Sequence, residues 1–165
     1  MFERILLAID ETPAGEVAVS FATAMARHSR GRVHVVHANL LLVGGRGVAV
    51  ETPEQAAQVV AGALAQLRSA DVEASGEVFT ATMFDVAGRI ADCARRVGAD
   101  SVVLGSHRHR RVARLAGRGL RERLVRTTAL PVVTAPAPLK VGRRRKGSVE
   151  IGRLARNMAP ADQPR

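Results

Sequence analysis

Gly98-Ala99-Asp100-Ser101-Val102-Val103-Leu104-Gly105-Ser106-His107-Arg108 decides the fold, together with Pro131-Val132-Val133 23 residues further on. Gly98 stands where a glycine commonly follows a helix end. Val102-Val103-Leu104 is a short, unbroken apolar run, the pattern of a parallel strand buried on both faces. Gly105 turns the chain into a loop at that strand's carboxyl end, the place where open α/β sheets bind ligands. The loop passes Gly117-Arg118-Gly119 into a short helix, whose exposed N–H groups could seat a phosphate. Residues 105–126 hold eight arginines and one acid, so this loop has anion-binding chemistry of its own.

The same grammar repeats outward. Ile5-Leu6-Leu7-Ala8-Ile9 reads as a buried strand, followed by Asp10-Glu11-Thr12-Pro13. Thr12 suits an N-cap and Pro13 the first helical position. Val17, Phe21 and Met25 recur at four-residue steps, which predicts an amphipathic helix over 13–29. Arg32 to Ala38 is a second strand, and Leu40 to Glu51 a loop containing Gly44-Gly45-Arg46-Gly47. Thr52 with Gln55 forms a capping box that opens a second helix striped by Val59, Val60, Ala63, Leu64 and Leu67. Glu77 to Ala81 is the third strand; Asp85 caps the third helix, which buries Val86, Ile90, Cys93, Ala94 and Val97. Leu120 to Arg126 is the fourth helix and Val132-Val133-Thr134 the fifth strand. This βαβαβαβαβ order predicts a parallel sheet with helices on both faces.

A chain of 165 residues suits one domain. With four Phe, no Trp and no Tyr, the core must be built from Val, Leu, Ile and Ala. No apolar run approaches the roughly 18 residues of a membrane span, so no membrane insertion is expected. Met1-Phe2-Glu3-Arg4 enters a strand directly, without a signal peptide's layout, and Cys93 is the single cysteine. Both point to a reducing, cytoplasmic setting. The net charge of +10 is unevenly spread. Residues 1–104 carry nine Arg and twelve acids; residues 105–165 carry sixteen Lys/Arg and three acids. Residues 137–165 are basic and lack an apolar face, which predicts a disordered tail after a domain ending near 136.

This layout resembles the universal stress protein family over residues 3–136. The likeness rests on Arg4-Ile5-Leu6-Leu7-Ala8-Ile9-Asp10, Val35-Val36-His37-Ala38, Asp85-Val86-Ala87, Gly98 to His107, and Leu130-Pro131-Val132-Val133. The resemblance implies a five-stranded parallel sheet in the order 3-2-1-4-5, of the adenine nucleotide alpha-hydrolase-like type. It also implies a homodimer, formed through the edge strand Val132–Thr134. Many members bind ATP through Gly-x2-Gly-x9-Gly-[Ser/Thr] after strand four. In that register Gly105 is kept, Arg108 and Arg118 replace the second and third glycines, and Gly119 replaces Ser/Thr. The motif is therefore degenerate. Two outcomes stay open: the arginines bind ATP phosphates by side chain, or the domain has lost the nucleotide. Asp10 occupies the family's adenosine-side position, with a loop acid serving helix one as the competing reading, and Ala38 the adenine-side position. Related ATP pyrophosphatase domains carry Ser-Gly-Gly-x-Asp-Ser at the first turn. This chain has Asp10-Glu11-Thr12-Pro13-Ala14-Gly15 there, which disfavours that chemistry.

Other candidates are weaker. His28, His34, His37, His107 and His109 show no metal-ligand spacing, and arginines flanking the last two repel cations, so no metal is expected. His37 reads as a hydrogen-bonded core residue. Cys93 reads as a small buried hydrophobe, and Ser106-His107 lacks triad geometry. The Gly44 loop lacks a P-loop lysine. The arginine segment and Arg143-Arg144-Arg145-Lys146 suit weak polyanion contact, without aromatic platforms for stacked bases. The reading is a regulatory or nucleotide-sensing domain without catalytic residues, an ATP-hydrolysing protein being the competing class.

Overall fold

The apolar runs and amphipathic stripes settle into alternating strands and helices in the computed structural model, which describes residues 2–42, 48–106 and 119–137. In chain order these are β1 (Arg4–Ile9), α1 (Pro13–Ser29), β2 (Arg32–Leu42), β3 (Val48–Ala49), α2 (Pro53–Ser69), β4 (Ala74–Thr82), α3 (Val86–Arg96), β5 (Ser101–Leu104), α4 (Leu120–Thr127) and β6 (Val132–Thr134). The five parallel strands lie in the order β4-β2-β1-β5-β6, the predicted 3-2-1-4-5.

The expected loop over 40–51 is partly strand. β2 runs on to Leu42, pairing Asn39, Leu40 and Leu41 with Thr80, Ala81 and Thr82 of β4. It then meets the antiparallel pair Val48–Ala49 through Leu41↔Ala49 and Leu42↔Val48. The glycines of this stretch suggested a loop throughout, whereas the flanking aliphatic residues pair as strand.

Strand parity sends side chains to two cores. Ile5, Leu7, Val33, Val35 and Val103 meet Ala18, Val19, Ala22 and Ala26 of α1 and Val60, Ala63 and Leu67 of α2. Leu6, Val36, Val102 and Leu104 meet Val86, Ile90, Cys93 and Ala94 of α3 and Leu124 of α4. The small residues of α1 let that helix lie close to the sheet, which suits a core without Trp or Tyr.

Two helix starts differ from expectation. The Thr52–Gln55 capping box is present in both directions. Thr12 and Asp85, however, do not cap α1 and α3 through their side chains. The Thr12 hydroxyl donates to Asp10 instead. Asp85 already has helical backbone angles, and its Oδ1 accepts from the Thr82 amide at 2.6 Å and hydroxyl at 2.9 Å. It closes the β4–α3 turn. Gly98 follows α3 with φ +63°, as a glycine in that place should. Among the described residues no helix is long and apolar enough to cross a membrane. Gly44 to Gly47, His107, Arg108, His109, Arg118 and residues 138–165 lie outside the described residues.

Candidate functional site

From β1 the chain builds outward through β2 to β4, then returns to place β5 and β6 on β1's other side. The reversal leaves a crevice at the carboxyl ends of β1 and β5, the topological switch point where such sheets take ligands. The registers Ala8↔Leu104 and Ile9↔His37 bring the ends of β1 and β5 level with each other and with His37 of β2, which runs on to Leu42. Asp10 and Gly105 therefore flank the crevice, with Ala38 within β2, one residue past the last β1 pairing and four before the strand ends at Leu42.

Asp10 is half-buried. Its Oδ1 accepts from the Thr12 amide at 3.1 Å and from the Thr12 hydroxyl at 2.6 Å, a local turn that fixes the carboxylate plane. The Thr12 carbonyl then accepts the Gly15 amide at 2.8 Å, launching α1. Gly15 is essential to this turn: a Cβ there would lie 2.2 Å from the Asp10 carbonyl oxygen. No spacing rule singles out Gly15, because the approach is between the β1 terminus and the helix that doubles back over it.

Gly105 is a glycine for a related reason. A Cβ on it would sit 2.8 Å from the Ala14 carbonyl oxygen, so α1's first turn presses on the loop after β5. Its φ is not left-handed; among the described glycines only Gly98 is. Thus helix packing, rather than a positive φ, accounts for Gly105. Ser106, next in the chain, has its Oγ shut off from solvent with no hydrogen-bond partner among the described residues. Ala38, in register with Phe79, packs into the core on the α3 side. Gly119 is exposed, sits at the N-cap of α4 with extended backbone, and has only the flexible Glu122 carboxylate where a Cβ would go. The structure thus places Asp10 and Gly105 at adjacent strand ends and Ala38 inside the neighbouring strand β2, while Gly119 opens a separate helix.

Sequence reasoning missed what holds the β2 end. His37 is buried, as expected, and its Nδ1 donates to the Ile9 carbonyl at 3.0 Å while Nε2 meets Glu51 Oε2 at 2.7 Å. Asn39, also buried, clasps the Glu51 backbone: Nδ2 donates to its carbonyl at 2.9 Å, and Oδ1 accepts its amide at 3.3 Å. Glu51 lies beyond the connector after β2, so nothing local in the sequence couples it to His37. Of the arginines, Arg123 is engaged structurally, donating to the carbonyls of Met83 and Phe84 and tying α4 to the β4–α3 turn.

The family model described as "Universal stress protein family" matches residues 1–136. Among solved structures, a universal stress protein family protein from Burkholderia pseudomallei is 24% identical, with a TM-score of 0.64 over 82% of this chain and 97% of that one. The universal stress protein from Archaeoglobus fulgidus, solved in complex with dAMP, is 22% identical, with a TM-score of 0.61 over 81% of this chain and 97% of that one. A family protein from Arabidopsis thaliana with AMP bound is 14% identical, with a TM-score of 0.57 over 82% and 92%. No curated protein matches the chain.

Proposed function

The chain belongs to the universal stress protein family, and from that premise we propose that it is a non-enzymatic, nucleotide-sensing regulator of the stress response whose nucleotide seat lies over the carboxyl ends of β1 and β5. The observation that carries this reading is Ser106. A buried hydroxyl without a partner costs about 1–3 kcal/mol, and a polar ligand at the switch point would remove that cost. The dAMP and AMP in the two relatives support the ligand class. In this reading Asp10 serves the adenosine side, Ala38 borders the adenine, and the Gly105 loop leads to the phosphates. Arg108 and Arg118 act there by side chain or by obstruction, and Gly119 opens the helix beyond.

The proposal includes a homodimer through β6, which hydrogen-bonds to β5 and presents its other edge for pairing with a second copy. It also includes weak polyanion contact by the basic final third. Calorimetry with ATP and AMP, each at two salt concentrations, tests the nucleotide reading. Saturable binding weaker than about 1 µM, roughly −8 kcal/mol, should survive the higher salt and weaken in Ser106→Ala and Asp10→Ala. Arg108→Gly with Arg118→Gly and Gly119→Ser should tighten it modestly if the arginines obstruct the phosphates, and loosen it if they hold them. Absence of saturable binding would overturn the nucleotide reading, and binding that collapses with salt would transfer it to polyanion contact.

A further inference from the structure

On the α3 face of the sheet, toward the amino ends of β2 and β4, three elements bring three different donor groups together. His34 comes from β2, Glu77 from β4 and Cys93 from α3, and their ligand atoms all lie within 4.8 Å of one another. His34 Nε2 is 3.2 Å from Glu77 Oε1, and Cys93 Sγ is 3.0 Å from the same oxygen. Tetrahedral zinc, bonded at about 2.0 Å to nitrogen and oxygen and about 2.3 Å to sulfur, spaces its ligand atoms by about 3.3–3.6 Å. Shifts of a few tenths of an ångström bring the two short pairs to that spacing.

The surroundings favour a site over a chance meeting. The Ser75 hydroxyl holds His34 Nδ1 at 2.8 Å, which turns Nε2 toward the cluster, as an outer partner does for a ligating imidazole. The strand register His34↔Ser75 and Val36↔Glu77 makes two ligands and the orienting group part of one rigid ladder. Cys93 is buried, while the His34 and Glu77 side chains keep 18% and 34% of their exposure, so the cluster is closed on one side only. A cleft of about 360 Å³ at the amino ends of β1, β2 and β4 is lined by His34 and Ser75 together with Arg4, Arg32 and Glu73. A cation already stands there: the exposed Arg96 guanidinium donates to Glu77 Oε1 and lies 3.4 Å from Cys93 Sγ. A divalent ion would replace one exposed, swinging charge with a fixed one. Thiol, imidazole and carboxylate together suit borderline-soft zinc rather than magnesium or calcium, which demand oxygen ligands.

We propose that His34 Nε2, Glu77 Oε1 and Cys93 Sγ form a zinc-binding site with a fourth position left for water. On binding, the Sγ–H proton passes to solvent, an Sγ–Zn bond forms, and Arg96 swings away from Glu77. The spacing rules that found no metal motif could not see this set, because its members are 43 and 16 residues apart and meet only through sheet register and helix packing.

The test uses the full chain, loaded with Co²⁺ alone as a spectroscopic probe and then competed with Zn²⁺. One equivalent of Co²⁺ should produce a thiolate-to-cobalt charge-transfer absorption that Zn²⁺ abolishes. Cys93→Ser should remove the band. His34→Gln should weaken binding at least about a hundred-fold, and Ser75→Ala about ten- to a hundred-fold. Arg96→Gln should tighten binding several-fold by freeing Glu77. Circular dichroism of each variant without metal controls for folding. A wild-type protein that gives no thiolate band overturns the proposal. So does undiminished binding in Cys93→Ser, which would place the metal on surface histidines. If Cys93→Ser fails to fold, Arg96→Gln decides alone: unchanged or weaker affinity there also overturns it.

Discussion

His34 and His37 stand three residues apart on β2 and lead different lives. An odd separation on a strand sends side chains to opposite faces. His37 enters the α1–α2 side, where it is 2% exposed and both ring nitrogens are taken, by a carbonyl and by Glu51. His34 enters the α3 side, where it is partly open, held by a serine and faced by a carboxylate, with a thiol and a guanidinium sharing that carboxylate. The first arrangement is a clamp: the Ile9 carbonyl can only accept, so Nδ1 must carry hydrogen, and any disruption leaves two half-buried acceptors without their partner. The second is an adjustable cluster, because Arg96 can leave without stranding anything buried. Thus the same residue type on the same strand becomes scaffold or candidate ligand according to the face it meets.

The largest expected effect that sharpens this contrast concerns Cys93. Burial first, then its contact with Glu77, pushes the thiol up from 9.0 to about 12. A three-unit rise lowers the thiolate fraction near pH 8 about a thousand-fold. Metal-free folded protein should therefore react with iodoacetamide about a thousand times more slowly than the urea-unfolded chain. Comparable rates would mean that the α3 face is not closed over the sulfur.

Breaking the clamp comes next. His37→Ala leaves the Ile9 carbonyl and the Glu51 carboxylate without their buried partner and should cost about 1–3 kcal/mol in urea unfolding. A cost below about 1 kcal/mol, the scale of an exposed pair, would erase the difference between the two histidines.

Glu77 should report the adjustable side through pH. Its hydrogen bond from Cys93 leads the effects that hold its carboxyl down, from 4.5 to about 2, against the opposing effect of burial; Arg96 and His34 add to the lowering. A carboxyl lowered by folding stabilises the protein above its unfolded pKa and loses that contribution as pH falls through its folded value. Stability should thus decline between about pH 4.5 and 2. With Glu77 a third exposed, solvent screening reduces the step to about 1 kcal/mol. In chelator-treated samples, Glu77→Gln should lack that step, and an unchanged acid profile would refute the assignment.

The smallest effect is expected at Ser75. Its bond to His34 is exposed, so Ser75→Ala should lower stability by no more than about 0.5–1 kcal/mol without metal. A loss as large as that of His37→Ala would make His34 a second clamp.

Much of the fold was legible in the sequence. Val102-Val103-Leu104 between two glycines, the Thr52–Gln55 capping box and the four-residue steps of α1 all specify structure through neighbours a few positions away. Their readings survive because the sheet adds to these local preferences instead of opposing them. The candidate crevice was legible to the same depth: Asp10 and Gly105 lie at strand ends, and strand ends follow from topology. What constrains Gly15 and Ser106 was not legible there. The first is constrained by a carbonyl that meets it only when α1 folds back, and the second by enclosure, which no local pattern reports.

By itself, then, the sequence determined the order of the five parallel strands and four helices, the Thr52–Gln55 cap and the glycine after α3, and the family to which the chain belongs. The tertiary structure alone decided the extension of β2 to meet Val48–Ala49, the turning of Thr12 toward Asp10, the clasp of Glu51 by His37 and Asn39, and the meeting of His34 with Glu77 and Cys93. The physical reason is range. Caps, periodicity and turns act over a few residues of chain, whereas register between β2 and β4 and the seating of α3 join positions far apart in sequence, and only those contacts choose which face of the sheet receives each histidine.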